Sequence, residues 1–386
     1  MNSVSAFEFT DDHRVALVNL EGAYDAWLQA RRMVAALDFN FQVKRQEKAG
    51  GGAPYAYLYR MTDSKNGYSL GPWTKGEALD QLRERHLALK TEAVAVENER
   101  WAVLEGMGRQ YKALRFGQIA SEAALILRRM DTYGFIGNKY MIVGTNAMPV
   151  YEIEAGARFA SDVQTTKDFD LAWLAGNMSL FAQSGKPLPW NPATLLGLAE
   201  GDPLLDHLNQ PPKSLRALLK EIDSTYTLNT ERRFQIRNRA GYEVEVLLAP
   251  SLVDQFPRTE ELSPIMNMEE QDWLLLGKQV QHVVAGRDGT PARVIAPDPR
   301  YFALQKIWLS HQEKRDPLKR PKDFAQGVRV MDAVKLYMPH YPIDDEFIQT
   351  LPRPLMPHFE SWKKMHETKV ANGSFHQTSK VGYSNR

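Results

Sequence analysis

Residues 141–152, MIVGTNAMPVYE, run three apolar residues into Gly144-Thr145 and follow them with a small-residue stretch of helical character. A strand that stops at a glycine–hydroxyl pair and turns into a helix commits this part of the chain to an α/β arrangement. Two physical readings fit the junction. A helix N-terminus offers unpaired N–H groups and partial positive charge, glycine lets the backbone approach an anion, and the threonine hydroxyl adds a donor; together they suit a phosphate. A tight turn capped by the threonine accounts for the same residues.

The next strand expected from the pattern, QTTKDFDLAWL at 164–174, carries Asp168 and Asp170. Strand geometry has a period of two, so both carboxylates share one face and Phe169 and Leu171 share the other. Charged groups are too costly for a buried face, so the pair is either solvated or holds a cation. A divalent ion with hard oxygen preference, such as Mg²⁺, removes the mutual repulsion. A later strand, YEVEVLLAP, offers Glu243 and Glu245 in the same alternation. If it lies beside the Asp168 strand, Glu245 joins the two aspartates. Three acids on one sheet face, opposite a phosphate-ready turn, are the parts of a metal-assisted phosphoryl-transfer site.

With these residues in hand, the chain resembles the polymerase-β-like nucleotidyltransferase superfamily, whose pattern is a Gly-Ser or Gly-Thr turn, a helix, an Asp-x-Asp strand and a distal acid. VGTNAMPVYEIEAGARF, TKDFDLAW, GYEVEVLLAP and PDPRYFALQKIWLSHQEKRDPLKRPKDFAQG look more narrowly like a bacterial nucleotidyltransferase-fold family, kin to the abortive-infection nucleotidyltransferase toxins. The resemblance covers about residues 55–340. It implies an α/β (α+β) fold with a mixed-sheet core flanked by helical N- and C-terminal regions. It also implies transfer of a nucleoside monophosphate from an NTP to an acceptor hydroxyl, with Mg²⁺ (or Mn²⁺) as cofactor. Asp168, Asp170 and Glu245 would be catalytic and metal-binding, and Gly144 and Thr145 would hold phosphate. The kinship points to tRNA or a protein as acceptor, to a toxin-like role in phage defence, and admits an antitoxin partner. The alternative is an inactive nucleotide- or RNA-binding module with the same fold. Two departures stand out. The third acid is Glu245 rather than Asp, and 22 residues separate the Gly-Thr pair from Asp168.

Downstream, LQKIWLSHQEKRDPLKRPKDFAQG contributes Lys306, Arg315, Lys319, Lys322 and Asp323. An ordinary solvated helix–loop–helix explains such charges. The alternative is a cradle for the β- and γ-phosphates, where lysine and arginine neutralise the leaving pyrophosphate. In that reading Lys306 packs its stem beside Phe302 and Leu309 while its head reaches a cleft, and Asp323 orients Lys306 or Arg315.

Other chemistries fail on the sequence. Nine histidines fall in no H-E-x-x-H or paired spacing, and there is no cysteine, so a zinc site or cysteine nucleophile is not expected. No G-x-S-x-G or P-loop pattern occurs. The net charge of +1 gives no global field for nucleic acid. No apolar run approaches the ~18 residues of a membrane span, and the first residues lack a signal-peptide pattern, so a cytoplasmic protein with no membrane contact is expected.

Four regions are expected: a mainly helical 1–133 with a short hairpin, a core at 134–296, a helical 297–361, and a mobile tail at 362–386. Residues 14–48 read as one or two amphipathic helices, on which Arg31, Arg32, Lys44 and Arg45 form a solvated face or, alternatively, touch RNA. YAYLYRM and Asn66-Gly67 suggest the hairpin. Thr74 is expected to cap a helix running from Lys75 to about Phe116, with a break near Gly106 or Gly108 and a stop at Gly117.

Overall fold

The computed structural model describes residues 7–47, 55–62, 64–159, 168–174, 191–209, 214–256 and 268–371. Strand β1 (Phe7–Glu8) leads into α1 (Asp11–Ala36), which buries Leu20, Tyr24, Trp27 and Leu28. The helical reading of 14–48 holds only for its first part: residues 40–46 form β2 (Asn40–Gln46). Here Phe39, Phe41 and Val43 alternate with polar residues, and period two overrides helical spacing. With β3 (Tyr55–Met61) and β4 (Gly67–Pro72), β2 makes a three-stranded antiparallel sheet, and the Asn66-Gly67 hairpin joins β3 to β4.

Helix α2 (Ala78–Ala113) is 36 residues long, about 54 Å at 1.5 Å per residue. Glu77, not Thr74, is its N-cap residue. It does not break at Gly106 or Gly108. Gly108 instead lets the helix touch the turn near Gly289, since a side chain there would collide with the Gly289 carbonyl. The helix ends at Leu114, and Arg115, not Gly117, takes the left-handed conformation (φ 59°). Gly117 is small for another reason: a side chain would strike the Glu152 carboxyl.

Strand β5 (Gln118–Ile119) and helix α3 (Ser121–Thr132) precede β6 (Tyr140–Ile142). Helix α4 (Met148–Ala155) and β7 (Ala157–Arg158), which pairs with β1, follow. Next come β8 (Asp168–Trp173), α5 (Pro192–Leu195), α6 (Leu215–Ile222), β9 (Thr227–Leu228), β10 (Gln235–Arg237) and β11 (Glu243–Leu247). Five of these strands form one mixed sheet in the order β6-β8-β11-β10-β9. Strand β8 runs antiparallel to β6 and parallel to β11, and β11 returns antiparallel to β10. The β10–β11 turn falls at Asn238–Gly241, where the Tyr242 N–H donates to the Asn238 side chain at 2.9 Å and Gly241 has φ +77°. Phe169, Leu171, Val244 and Val246 are fully buried, which leaves the intervening carboxylate positions on the opposite face.

Helix α7 (Glu270–Trp273) leads to the hairpin β12 (Val280–Gly286) and β13 (Pro291–Ala296), turned at Asp288-Gly289, with β5 parallel to β12. Then come α8 (Pro299–Ser310), α9 (Arg320–Tyr337) with Pro321 in its first turn, α10 (Asp345–Thr350) and α11 (Met356–Ala371). Residues 362–371 are thus helical where a mobile tail is expected; 372–386 lie outside the described residues. α8 and α9 pack closely because Gly327 sits against the Ala303 carbonyl. One hydrophobic core runs from Phe9 to Trp362 through the five-stranded sheet, the β12–β13 hairpin and the C-terminal helices, and a smaller one lies around Leu37, Phe39, Ala93 and Leu204. The architecture is α+β.

Candidate active site

Strand β6 ends at Ile142, and the Val143 N–H still donates to the Asp170 carbonyl at 3.1 Å. Gly144 then takes φ +75°, which favours glycine, and a 3-10 turn over Gly144–Ala147 precedes α4. The helix therefore does not start directly at Gly144-Thr145. Thr145 is not a capping residue either; its hydroxyl oxygen accepts from Gln326 Nε2 on α9 at 3.3 Å. A side chain at position 144 would collide with the Asp170 carboxylate, so Gly144 leaves that carboxylate its space beside the turn.

The parallel register of β8 and β11 places Glu245 opposite Asp170 and Glu243 opposite residue 168. Adjacent strands lie ~4.8 Å apart, and residues in register share a face, so Asp170 and Glu245 are immediate neighbours. Asp168 opens β8, and its side chain lies outside the described residues. Glu245 Oε1 accepts a 2.5 Å hydrogen bond from Gln235 Nε2. Gln235, buried on β10 directly opposite, in turn accepts from Asn229 Nδ2 at 3.0 Å. An amide relay thus fixes one side of the third acid. The sequence reading missed it, although counting back from the Asn238–Gly241 turn pairs Gln235 with Glu245. Glu243 has a different neighbour, Arg237, at 3.9 Å.

The C-terminal helices supply the opposite charge. Lys306 on α8 is buried, and its Nζ donates to Asp323 Oδ1 at 3.0 Å. Arg315 Nε donates to the other oxygen, Asp323 Oδ2, at 2.7 Å. The lysine head is therefore held inside the α8–α9 interface. One buried carboxylate orients two cations, where the sequence led to one or the other being expected. Lys319 is the N-cap residue of α9 and is exposed; Lys322 is half-buried in its first turn. Gln326 lies three residues beyond Asp323, so one helix face carries both the cation clamp and the contact to Thr145. Gln326, 1% exposed, had no signal in the sequence, because its partner is 181 residues away.

Among the described residues no group of three or more His, Asp or Glu side chains forms a metal cage. Asp170 and Glu245 nonetheless present two hard oxygen donors side by side, with the Gly144 backbone drawn close, and that donor set suits a divalent ion of the Mg²⁺ type. Among the described residues no helix is long and apolar enough to cross a membrane. A family model described as a nucleotidyltransferase matches residues 121–191 and 203–351, more than half of the chain. The match takes in the mixed sheet, the β12–β13 hairpin and α8–α9, and leaves out residues 1–120. No curated protein and no solved structure matches.

Proposed function

The chain belongs to this nucleotidyltransferase family, and from that premise we propose that it transfers a nucleoside monophosphate from an NTP to an acceptor hydroxyl, an EC 2.7.7-type reaction. The acceptor oxygen attacks the α-phosphorus in line. One P–O bond forms, the bond to the β-phosphate oxygen breaks, pyrophosphate leaves, and the hydroxyl proton passes to solvent or a nearby carboxylate. Asp168, Asp170 and Glu245 would hold Mg²⁺ or Mn²⁺. Such an ion supplies positive charge to the triphosphate and makes the acceptor hydroxyl more acidic.

The chain's own residues account for the rest of the work. Gly144 opens the backbone to the phosphates. Because Gln326 donates into the Thr145 oxygen, the threonine's own proton is available to a phosphate oxygen. Lys306 and Arg315, oriented by Asp323, and Lys319 and Lys322 at the start of α9, balance the charge that develops on pyrophosphate. Resemblance to the abortive-infection toxins supports tRNA or a protein as acceptor, a defence role in the cytoplasm, and an antitoxin as partner.

The observation that carries the proposal is the register of Asp170 with Glu245 beside the Gly144 turn. The test incubates the protein with each α-labelled NTP, Mg²⁺ or Mn²⁺ and cell extract. Label should enter a macromolecule from an α-labelled but not a γ-labelled NTP, and Asp170→Asn should abolish it. Transfer of γ-label, no transfer with any NTP, or full activity in Asp170→Asn would overturn the proposal.

A further inference from the structure

The N-terminal sheet has two unlike faces. Toward the core, Leu58 is fully buried, and Arg60 donates to the His207 carbonyl and to Asn209 Oδ1, both at 2.9 Å, while stacking on Phe39. Alternation along β3 puts Tyr55, Tyr57 and Tyr59 on the other face. Tyr55 is 45% exposed, and Tyr57 and Tyr59 are half-buried.

The neighbours of these rings are set by the strand register. Lys44 lies opposite Tyr57, and Gln42 and Ser69 flank Tyr59 on either side. Lys44 Nζ also sits 4.7 Å from the centre of the Tyr59 ring, a cation–π contact. None of the paired positions on this face is a carboxylate. By sequence, residues 40–77 carry six basic side chains (Lys44, Arg45, Lys48, Arg60, Lys65, Lys75) against Glu47, Asp63 and Glu77, in a chain of net charge +1. The rings repeat at about 6.8 Å, two residues of strand rise. Such a row is a platform on which successive unstacked bases lie, with cations for the backbone and amide and hydroxyl groups for base edges and 2′-hydroxyls.

We propose that this face binds single-stranded RNA, with bases stacked on Tyr57 and Tyr59 and phosphates drawn by Lys44. The face lies outside the region that matches the nucleotidyltransferase family model. Binding needs no NTP, so it stands or falls separately from nucleotidyl transfer.

The test is fluorescence anisotropy of the full chain with a labelled 12-nucleotide RNA, without NTP. Tyr57→Ala and Tyr59→Ala should each weaken binding about fivefold or more, the scale of one lost base stack. Lys44→Glu should weaken it and flatten its salt dependence, whereas Tyr59→Phe should bind nearly as wild type. The same RNA annealed to its complement should bind more weakly, and inorganic polyphosphate of matched charge should compete poorly. Thermal melts establish that each variant is folded. Wild-type affinity in the folded alanine variants would overturn the proposal. So would equal competition by polyphosphate or polyglutamate, and equal affinity for DNA of the same sequence would overturn the assignment to RNA.

Discussion

Lys306 Nζ and Asp323 Oδ1 stand 3.0 Å apart with both side chains buried, and Arg315 grips the other oxygen of the same carboxylate. A lysine that merely packs its stem can be shortened without harm to the fold. A lysine locked in a buried ion pair cannot, because its removal leaves a desolvated carboxylate behind.

Lys306→Met is therefore expected to destabilise the protein by about 1–3 kcal/mol, below the full scale of a broken buried pair because Arg315 remains on Asp323. Lys306→Met with Asp323→Asn should recover part of that stability while transfer stays lost. Urea unfolding of both variants measures it. If Lys306→Met unfolds at the wild-type urea concentration, the pair contributes nothing to the fold.

Gly144→Ala combines two penalties: a side chain in the left-handed region and a collision with the Asp170 carboxylate. Gly156 makes the control, since its φ is +59° but nothing lies within 4 Å of an added side chain. Gly156→Ala should cost about 1–2 kcal/mol, the conformational penalty alone. Gly144→Ala should cost more and abolish transfer, since Asp170 must move. Equal unfolding free energies for the two variants would show that the Asp170 contact is soft.

Much of the mixed sheet was legible because its signals are local. Alternation in DFDLAW and EVEVL needs only neighbouring residues to be read. What failed depended on distance. Residues 40–46 read as helix until pairing with β3 fixed their alternation. Gly108 looked like a helix breaker because its contact, the Gly289 carbonyl, is far along the chain. Gln326 and Gln235 are ordinary polar residues by type; only the packing of α9 on the Thr145 turn, and the pairing of β10 with β11, makes them part of the site.

Two groups each contribute stability that is lost as pH rises, in windows that overlap between about 6.5 and 7. Burial pushes the Glu152 carboxyl from 4.5 up to about 7, with the Phe159 N–H and the Arg158 charge opposing it only in part. The folded chain holds that proton more tightly than the unfolded chain, so the contribution is present below 4.5 and is lost as pH rises through about 7. For His282, burial acts downward, but hydrogen bonds and charge from Glu154 and Glu21 override it and raise the group from 6.5 to about 9. Its contribution is lost between those values. Burial pushes His86, His207 and His358 below 6.5, so their contribution grows as pH rises through the lower window and opposes this loss. The readout is therefore each variant's urea midpoint relative to wild type at pH 5, 7 and 9. Glu152→Gln should lose less stability than the wild type between pH 5 and 7 and as much as the wild type between 7 and 9; an unchanged difference over the lower range would assign it to another group.

Glu245 and Glu243 alternate onto the same face, yet the sheet treats them differently. Glu245 pairs in register with Asp170 and is gripped by Gln235, whereas Glu243 pairs with residue 168 and has Arg237 at 3.9 Å. The extra methylene of Glu over Asp gives the third acid more rotamer freedom, and the Gln235–Asn229 relay takes that freedom away. Glu245→Gln should thus lower transfer on the order of a hundredfold or more, the usual scale for a lost electrostatic group at the reacting centre. Glu243→Gln should stay within about threefold of wild type. Gln235→Leu keeps the carboxylate but frees its orientation, so it should fall between them, about tenfold down. Initial rates with α-labelled NTP at saturating Mg²⁺ rank the three. If Glu243→Gln is the inactive variant and Glu245→Gln retains activity, the working acid sits one pleat earlier on β11, opposite residue 168.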